Sequence, residues 1–167
     1  MDIATMLPTT HLKGERKMKP IERILFPVDL TESSEKMVPY VTTMAEKFDA
    51  EVHVLFIVRI FQYFTDIYVA PPSITVFETE LVEGARKKMD EFINAHFSNL
   101  PRAQSEVVLG DPPDSILKYI KEHNISMVIM GTHGRKGLDR VLFGSVADRV
   151  IKTAGIPVLV INPFTPD

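Results

Sequence analysis

From Ile21 onward the chain alternates between short apolar runs and longer stretches whose apolar residues recur every three or four positions. The runs are Ile21–Val28, Glu51–Val58, Glu106–Leu109, Ser126–Met130 and Pro157–Ile161, each of strand length. Between them, Met37, Val41, Met44, Ala45 and Phe48 keep helical spacing, as do Leu81, Ala85, Met89, Phe92 and His96. Ile116, Leu117 and Ile120 repeat the pattern, followed by Leu142, Val146 and Val150. Strand and helix in strict alternation predict an α/β protein, a doubly wound three-layer sandwich with a five-stranded, mainly parallel sheet. The near-continuous apolar part of EVHVLFIV (51–58) calls for burial on both faces, as a central parallel strand has. Crossovers in such a sheet are right-handed, and ligands bind beyond the carboxyl ends of the strands where the strand order reverses.

Local chemistry sets the expected boundaries. Thr31 or Ser33 suits the N-cap of the first helix, with Glu32 and Glu35 in its first turn. Pro39 should kink that helix or confine it to the residues that follow. Asp111 suits the next N-cap, with Pro112 at the first helical position. Arg59–Thr75, rich in aromatics and containing Pro71-Pro72, reads as a long connection with a turn of helix. Residues 1–20 show no period and read as a disordered tail of net charge +2. Residues 21–163 then form a single domain, and 164–167 a short C-terminal tail.

Composition removes several classes of function. Without cysteine there is no disulfide, thiol nucleophile or Cys-ligated metal. A net charge of -3 argues against nucleic-acid binding by bulk charge. No apolar run approaches the ~18 residues of a membrane helix, and the first residues place their positive charges in the wrong order for a secretory signal. A cytoplasmic protein with no membrane or nucleic-acid partner is the expectation.

The segment 130–146, MGTHGRKGLDRVLFGSV, carries the chemistry. Gly131 ends a buried strand, Gly134 and Gly137 follow, and Gly144-Ser145 falls at the start of the next helix. Glycines let a backbone approach a phosphate closely, and free N–H groups at a helix start face an anion. The serine hydroxyl adds one more donor. Residues 131–152 carry a net +3 on a chain whose total is -3, which suits an anionic ligand at this place. Glycines that only mark turns, and a serine that only caps, remain the alternative from spacing alone. The segment is neither a P-loop, since G-x-x-x-x-G-K-[ST] is missing, nor a dinucleotide fingerprint, since no G-x-G-x-x-G follows the first strand. A receiver domain would need paired acids after the first strand, where Asp29 stands alone.

Three places resemble the universal stress protein family, over roughly Glu22–Pro163. ILFPVDLTESSEK is similar to its P-x-D-x-S/T opening, and VVLGDPPDSIL to its strand-three turn. Gly131-x2-Gly134-x9-Gly144-Ser145, preceded by Met130, looks like the signature of its ATP-binding branch. The resemblance implies that Pro27, Val28 and Asp29, with Ile57 of the second strand, border the adenine and ribose. Met130 and Gly131 would line the same crevice, and Gly134, Gly144, Ser145 and Val146 would hold the phosphates. The ligand implied is ATP or AMP, with any Mg²⁺ carried by the phosphates. It also implies a homodimer through the last strand, Val158–Ile161, acting as a nucleotide-responsive regulatory or stress-resistance protein.

No residue supplies a clear general base, so at most weak ATP hydrolysis is expected. A slow ATPase or autophosphorylating protein, and a nucleotide-free interaction module, are the alternatives. His133 within the loop reads as a neighbour of solvent or phosphate rather than a catalytic group. No histidine has the spacing of a metal ligand.

Overall fold

A computed structural model describes residues 19–59, 72–132 and 144–164. Its elements are β1 (Arg23–Val28), α1 (Glu32–Phe48), β2 (Glu51–Val58), α2 (Pro72–His96), β3 (Ala103–Leu109), α3 (Pro112–Glu122), β4 (Met127–Gly131), α4 (Ser145–Thr153) and β5 (Val158–Ile161). The strands form one sheet in the order β3-β2-β1-β4-β5, and every pairing is parallel. The expected doubly wound sandwich is therefore present, and the order reverses at β1.

Successive side chains of a strand point to opposite faces, and β1 shows this directly. Ile24, Phe26 and Val28 pack with Met37, Val41 and Ala45 of α1 and with Met89 and Phe92 of α2. Leu25 faces the other way, into a second core with Leu55, Val128, Ile116 and Ile120 of α3, and Ala147 and Val150 of α4. Two helices on each face leave the central strands dry on both sides, and Leu25, Val54, Leu55 and Val128 are all fully buried. The apolar density of EVHVLFIV has this cause.

The boundaries differ from expectation where propensity was overruled. Thr31 is the N-cap of α1, its side chain accepting from the Ser33 N–H. The helix then continues through Pro39 to Phe48. Pro39 lies on the exposed side, so the carbonyl it fails to serve faces water rather than core. Thr42 Oγ1 donates to the carbonyls of Val38 and Pro39, both at 3.1 Å, within that turn.

The Pro71-Pro72 pair marks a start and not an end: α2 begins at Pro72, so residues 73–75 are helical. A proline at the first position of a helix loses no bond that the helix would have made. β3 starts at Ala103, three residues before its apolar signal, because Ala103–Ser105 complete the pairing with Val52–Val54. It is an edge strand, and its added residues are mostly exposed.

Two residues at helical spacing do not reach the core. Phe48, 43% exposed, ends α1 beyond the sheet. Leu81, 42% exposed, belongs to the part of α2 that overshoots it. A helix of 25 residues runs about 37 Å, whereas the 8-residue β2 spans about 26 Å.

Asp111 caps α3, accepting from the Asp114 N–H, with Pro112 in the first turn as expected. Gly110 before it has φ +154°, and a Cβ there would stand 2.7 Å from Ser115 Oγ, so the turn requires glycine. No helix among the described residues is long and apolar enough to cross a membrane.

Candidate functional site

Because α1 leaves β1 on one face of the sheet and α4 leaves the neighbouring β4 on the other, the carboxyl ends of these two strands open between α1 and α4. A crevice of about 700 Å³ lies there, reaching β2 on one side and the start of α4 on the other. Pro27, Val28 and Asp29 of β1 and its loop line it, as does Ile57 of β2. Met130 and Gly131 of β4 and Gly144, Ser145 and Val146 at the start of α4 complete the set expected from sequence, apart from Gly134. Gly134 and His133 lie outside the described residues.

The wall at β1 is built around Asp29. Its Oδ1 accepts from the Thr31 N–H at 3.1 Å, from Thr31 Oγ1 at 2.7 Å and from Ser34 Oγ at 2.7 Å. Its own N–H donates to Ser34 Oγ at 3.0 Å. Between Asp29 and Thr31, Leu30 takes the left-handed conformation, φ 55°, which is costly for a residue with a branched side chain and held only by its surroundings. The carboxylate is thus fixed at the crevice mouth by one oxygen. Oδ2 has no hydrogen-bond partner among the described residues, and so is open to a ligand hydroxyl.

The opposite wall is the N-terminus of α4. The first helical hydrogen bond runs from the Asp148 N–H to the Gly144 carbonyl at 3.0 Å. The N–H groups of Ser145, Val146 and Ala147 precede it and have no partner within the helix, and all three residues line the crevice. Gly144 is the N-cap and supplies no side-chain bond to them. Aligned peptide dipoles give that end a partial positive charge, which favours a phosphate or carboxylate. The Gly144 N–H is not one of the open donors, since it donates to the Thr132 carbonyl at 2.8 Å. A Cβ on Gly144 would stand 3.2 Å from that same oxygen. Its place in the pattern therefore reflects close approach of two backbones.

The floor is apolar. Ile57, Met130 and Ile116 are 9%, 5% and 1% exposed and belong to the core beneath α3 and α4 while also facing the crevice. Packing and lining are one role at these positions. The crevice thus brings together helix-end N–H donors at α4, the Asp29 carboxylate and an apolar floor that runs from β2 to β4.

Sequence reasoning missed Thr132, whose carbonyl positions the α4 cap, and Arg59, a cation that lines the crevice just past β2. For Thr132 the signal was its position between two signature glycines. For Arg59 it was the residue directly after a strand end, obscured by the aromatic stretch that follows.

Two further features lie at the amino ends of the strands. A groove of about 620 Å³ is lined by Phe48, Arg23 and Arg102 among others. Arg23 is paired with Glu51 at 3.4 Å, and Arg102 with Asp49. The second feature is buried His53, whose Nδ1 lies 3.1 Å from the Tyr119 hydroxyl. Burial pushes Tyr119 up to about 12, with the Glu106 carboxylate adding to the shift. Neither feature opens a helix N-terminus to a ligand. Among the described residues no group of His, Asp and Glu is placed to hold a metal ion.

Comparison with known proteins gives a consistent result. Residues 20–162 match the model of the universal stress protein family. Universal stress protein MJ0531 of Methanocaldococcus jannaschii is 31% identical over 147 residues, covering 84% of this chain and 82% of that protein. The solved structure of MJ0577, a universal stress protein of the same organism, superimposes with a TM-score of 0.76 at 25% identity, over 89% of this chain and 100% of that one. A universal stress protein from Archaeoglobus fulgidus, solved in complex with dAMP, shares the fold with a TM-score of 0.53 at 18% identity, covering 86% of this chain and 100% of its own.

Proposed function

We propose that this chain, which belongs to the universal stress protein family, binds an adenine nucleotide, ATP or AMP, in the crevice at the carboxyl ends of β1 and β4. One observation carries the reading: the open N–H groups of Ser145, Val146 and Ala147 and the fixed carboxylate of Asp29 face the same cavity. The phosphates sit at the start of α4, with Gly134, Gly144, Ser145 and Val146 around them. The ribose lies near Asp29, and the base lies against Pro27, Val28, Ile57, Met130 and Gly131. A family member that holds dAMP supports an adenine-type ligand. Any Mg²⁺ arrives with the phosphates and keeps several waters.

The protein acts as a nucleotide-responsive regulatory dimer, two copies pairing through the exposed edge of β5, Val158–Ile161. Binding rather than turnover is favoured because Asp29, the carboxylate among the described lining residues, stands across the crevice from the α4 N-terminus where the phosphates sit. A base at the ribose is poorly placed to activate water at the terminal phosphate. The test is direct. Purified protein is denatured with acid, and any released nucleotide is identified by chromatography. Binding of added ATP is then measured by calorimetry and phosphate release by a coupled assay. Adenine nucleotide bound with negligible release is the expected outcome. Protein that neither carries nor binds a nucleotide refutes the reading, and rapid phosphate release replaces it with an ATPase.

A further inference from the structure

Arg59 follows the last residue of β2 and lines the crevice, while its side chain remains exposed. It makes no hydrogen bond or ion pair with any described residue, unlike Arg23, Arg102 and Arg149, each of which is paired. Strand order fixes where its charge stands. β2 and β4 lie on opposite sides of β1, about 10 Å apart, and α4 starts beyond β4. Arg59 therefore enters the crevice at the end away from the helix N–H groups that attract phosphate. Ile57, Ile116 and Pro112 line the same crevice, apolar side chains that favour the flat face of a base.

We propose that Arg59 is a base-positioning residue of the nucleotide site, its planar guanidinium covering the purine ring that rests on Ile57 and Ile116. The inference rests on the nucleotide reading above. A guanidinium stacks on an aromatic face through charge and through its own flat surface, and the larger purine face gains more than a pyrimidine. Arg59 thereby contributes to the choice of base rather than to the grip on phosphate.

The variant Arg59→Ala separates these roles when ATP and CTP are compared, since the two carry the same phosphates and differ in the base. With wild-type and variant protein, both dissociation constants are measured by competition, and circular dichroism confirms that the exposed substitution leaves the fold unchanged. The expected result is ATP binding weakened about fivefold with CTP binding changed much less, so that the preference for ATP shrinks. Equal weakening of both nucleotides would make Arg59 a phosphate contact and overturn the proposal, as would undiminished ATP binding. Wild-type protein that binds neither nucleotide removes the underlying reading itself, and this inference with it.

Discussion

Ser34 Oγ accepts a hydrogen bond from the Asp29 N–H at 3.0 Å and returns one to Asp29 Oδ1 at 2.7 Å. One hydroxyl on the first turn of α1 thus holds both the backbone and the side chain at the end of β1. Ser34 is only 4% exposed, so no water easily replaces it.

Ser34→Ala removes both bonds at once and leaves the Asp29 N–H without its partner. A lost bond of this kind costs about 1–3 kcal/mol where the remaining group is shielded from water. We expect urea denaturation to show a loss of about 2 kcal/mol, together with weaker ATP binding as the carboxylate loosens. Unchanged stability and unchanged affinity would show that the loop holds itself.

Gly144→Val places a branched side chain where a Cβ already stands 3.2 Å from the Thr132 carbonyl. Accommodating such crowding costs about 1–3 kcal/mol, and the first turn of α4 must shift to relieve it. ATP affinity measured by calorimetry should fall about tenfold or more, while the circular dichroism spectrum remains that of the folded protein. Full affinity would falsify the placement of the phosphates at this helix.

His53 gives the fold a pH dependence. Burial holds its imidazole below the ordinary value of 6.5, with Glu51 opposing the shift and His123 and Arg23 adding to it. From α3, the Tyr119 hydroxyl reaches its Nδ1, and the His123 ring, stacked on Tyr119 at 3.8 Å, lies 5.7 Å away. On β3, Glu106 stands 3.9 Å from His123. Well above pH 6.5 His53 is neutral in both folded and unfolded chains and contributes no slope. As the pH falls through 6.5 the unfolded chain takes the proton first, so stability declines toward the lower pKa of the folded state. Urea midpoints should therefore drop between pH 7.5 and pH 5, and His53→Gln should flatten that decline. An equal decline in the variant would assign it to other groups.

The last strand offers a test of assembly. All four residues of β5 are partly exposed, and among the described residues the strand pairs on one side only. An unprotected apolar edge tends to find a partner, and a lysine there opposes pairing. We expect wild-type protein to sediment as a dimer at micromolar concentration and Val160→Lys to sediment as a monomer. A monomeric wild-type protein would exclude the dimer.

The fold was legible because hydrophobic period and turn chemistry agree along most of the chain. Val52, Val54 and Leu55 could hardly lie anywhere but in a buried strand, and Asp111-Pro112 marks a helix start by itself. Pro39 did not confine its helix and Pro72 opened one, for a common reason. The effect of a proline depends on which side of a helix it faces and which turn it occupies, and neither can be read from one residue. Phe48 and Leu81 keep the right spacing but lie beyond the ends of the sheet, a matter of relative lengths that periodicity does not carry.

The crevice was legible in Gly131, Gly144, Asp29 and the strand ends, which come together as the strand order requires. Three details were not. The Gly144 N–H is spent on Thr132, a pairing between segments that no spacing reveals. Arg59 sits beside a stretch whose composition hides it. Ile57 and Met130 serve the core and the cavity at once, a distinction that apolar residues do not announce.

Thr132 has one backbone donor and one backbone acceptor, and both are engaged. Its carbonyl receives the Gly144 N–H at 2.8 Å, and its N–H donates to the Ile161 carbonyl at 2.9 Å. One residue therefore joins the crevice-facing helix to the outermost strand, through two peptide planes that meet at its Cα. Shifting Thr132 to suit one neighbour strains its bond to the other, so the cavity wall and the sheet edge are tied at a single point.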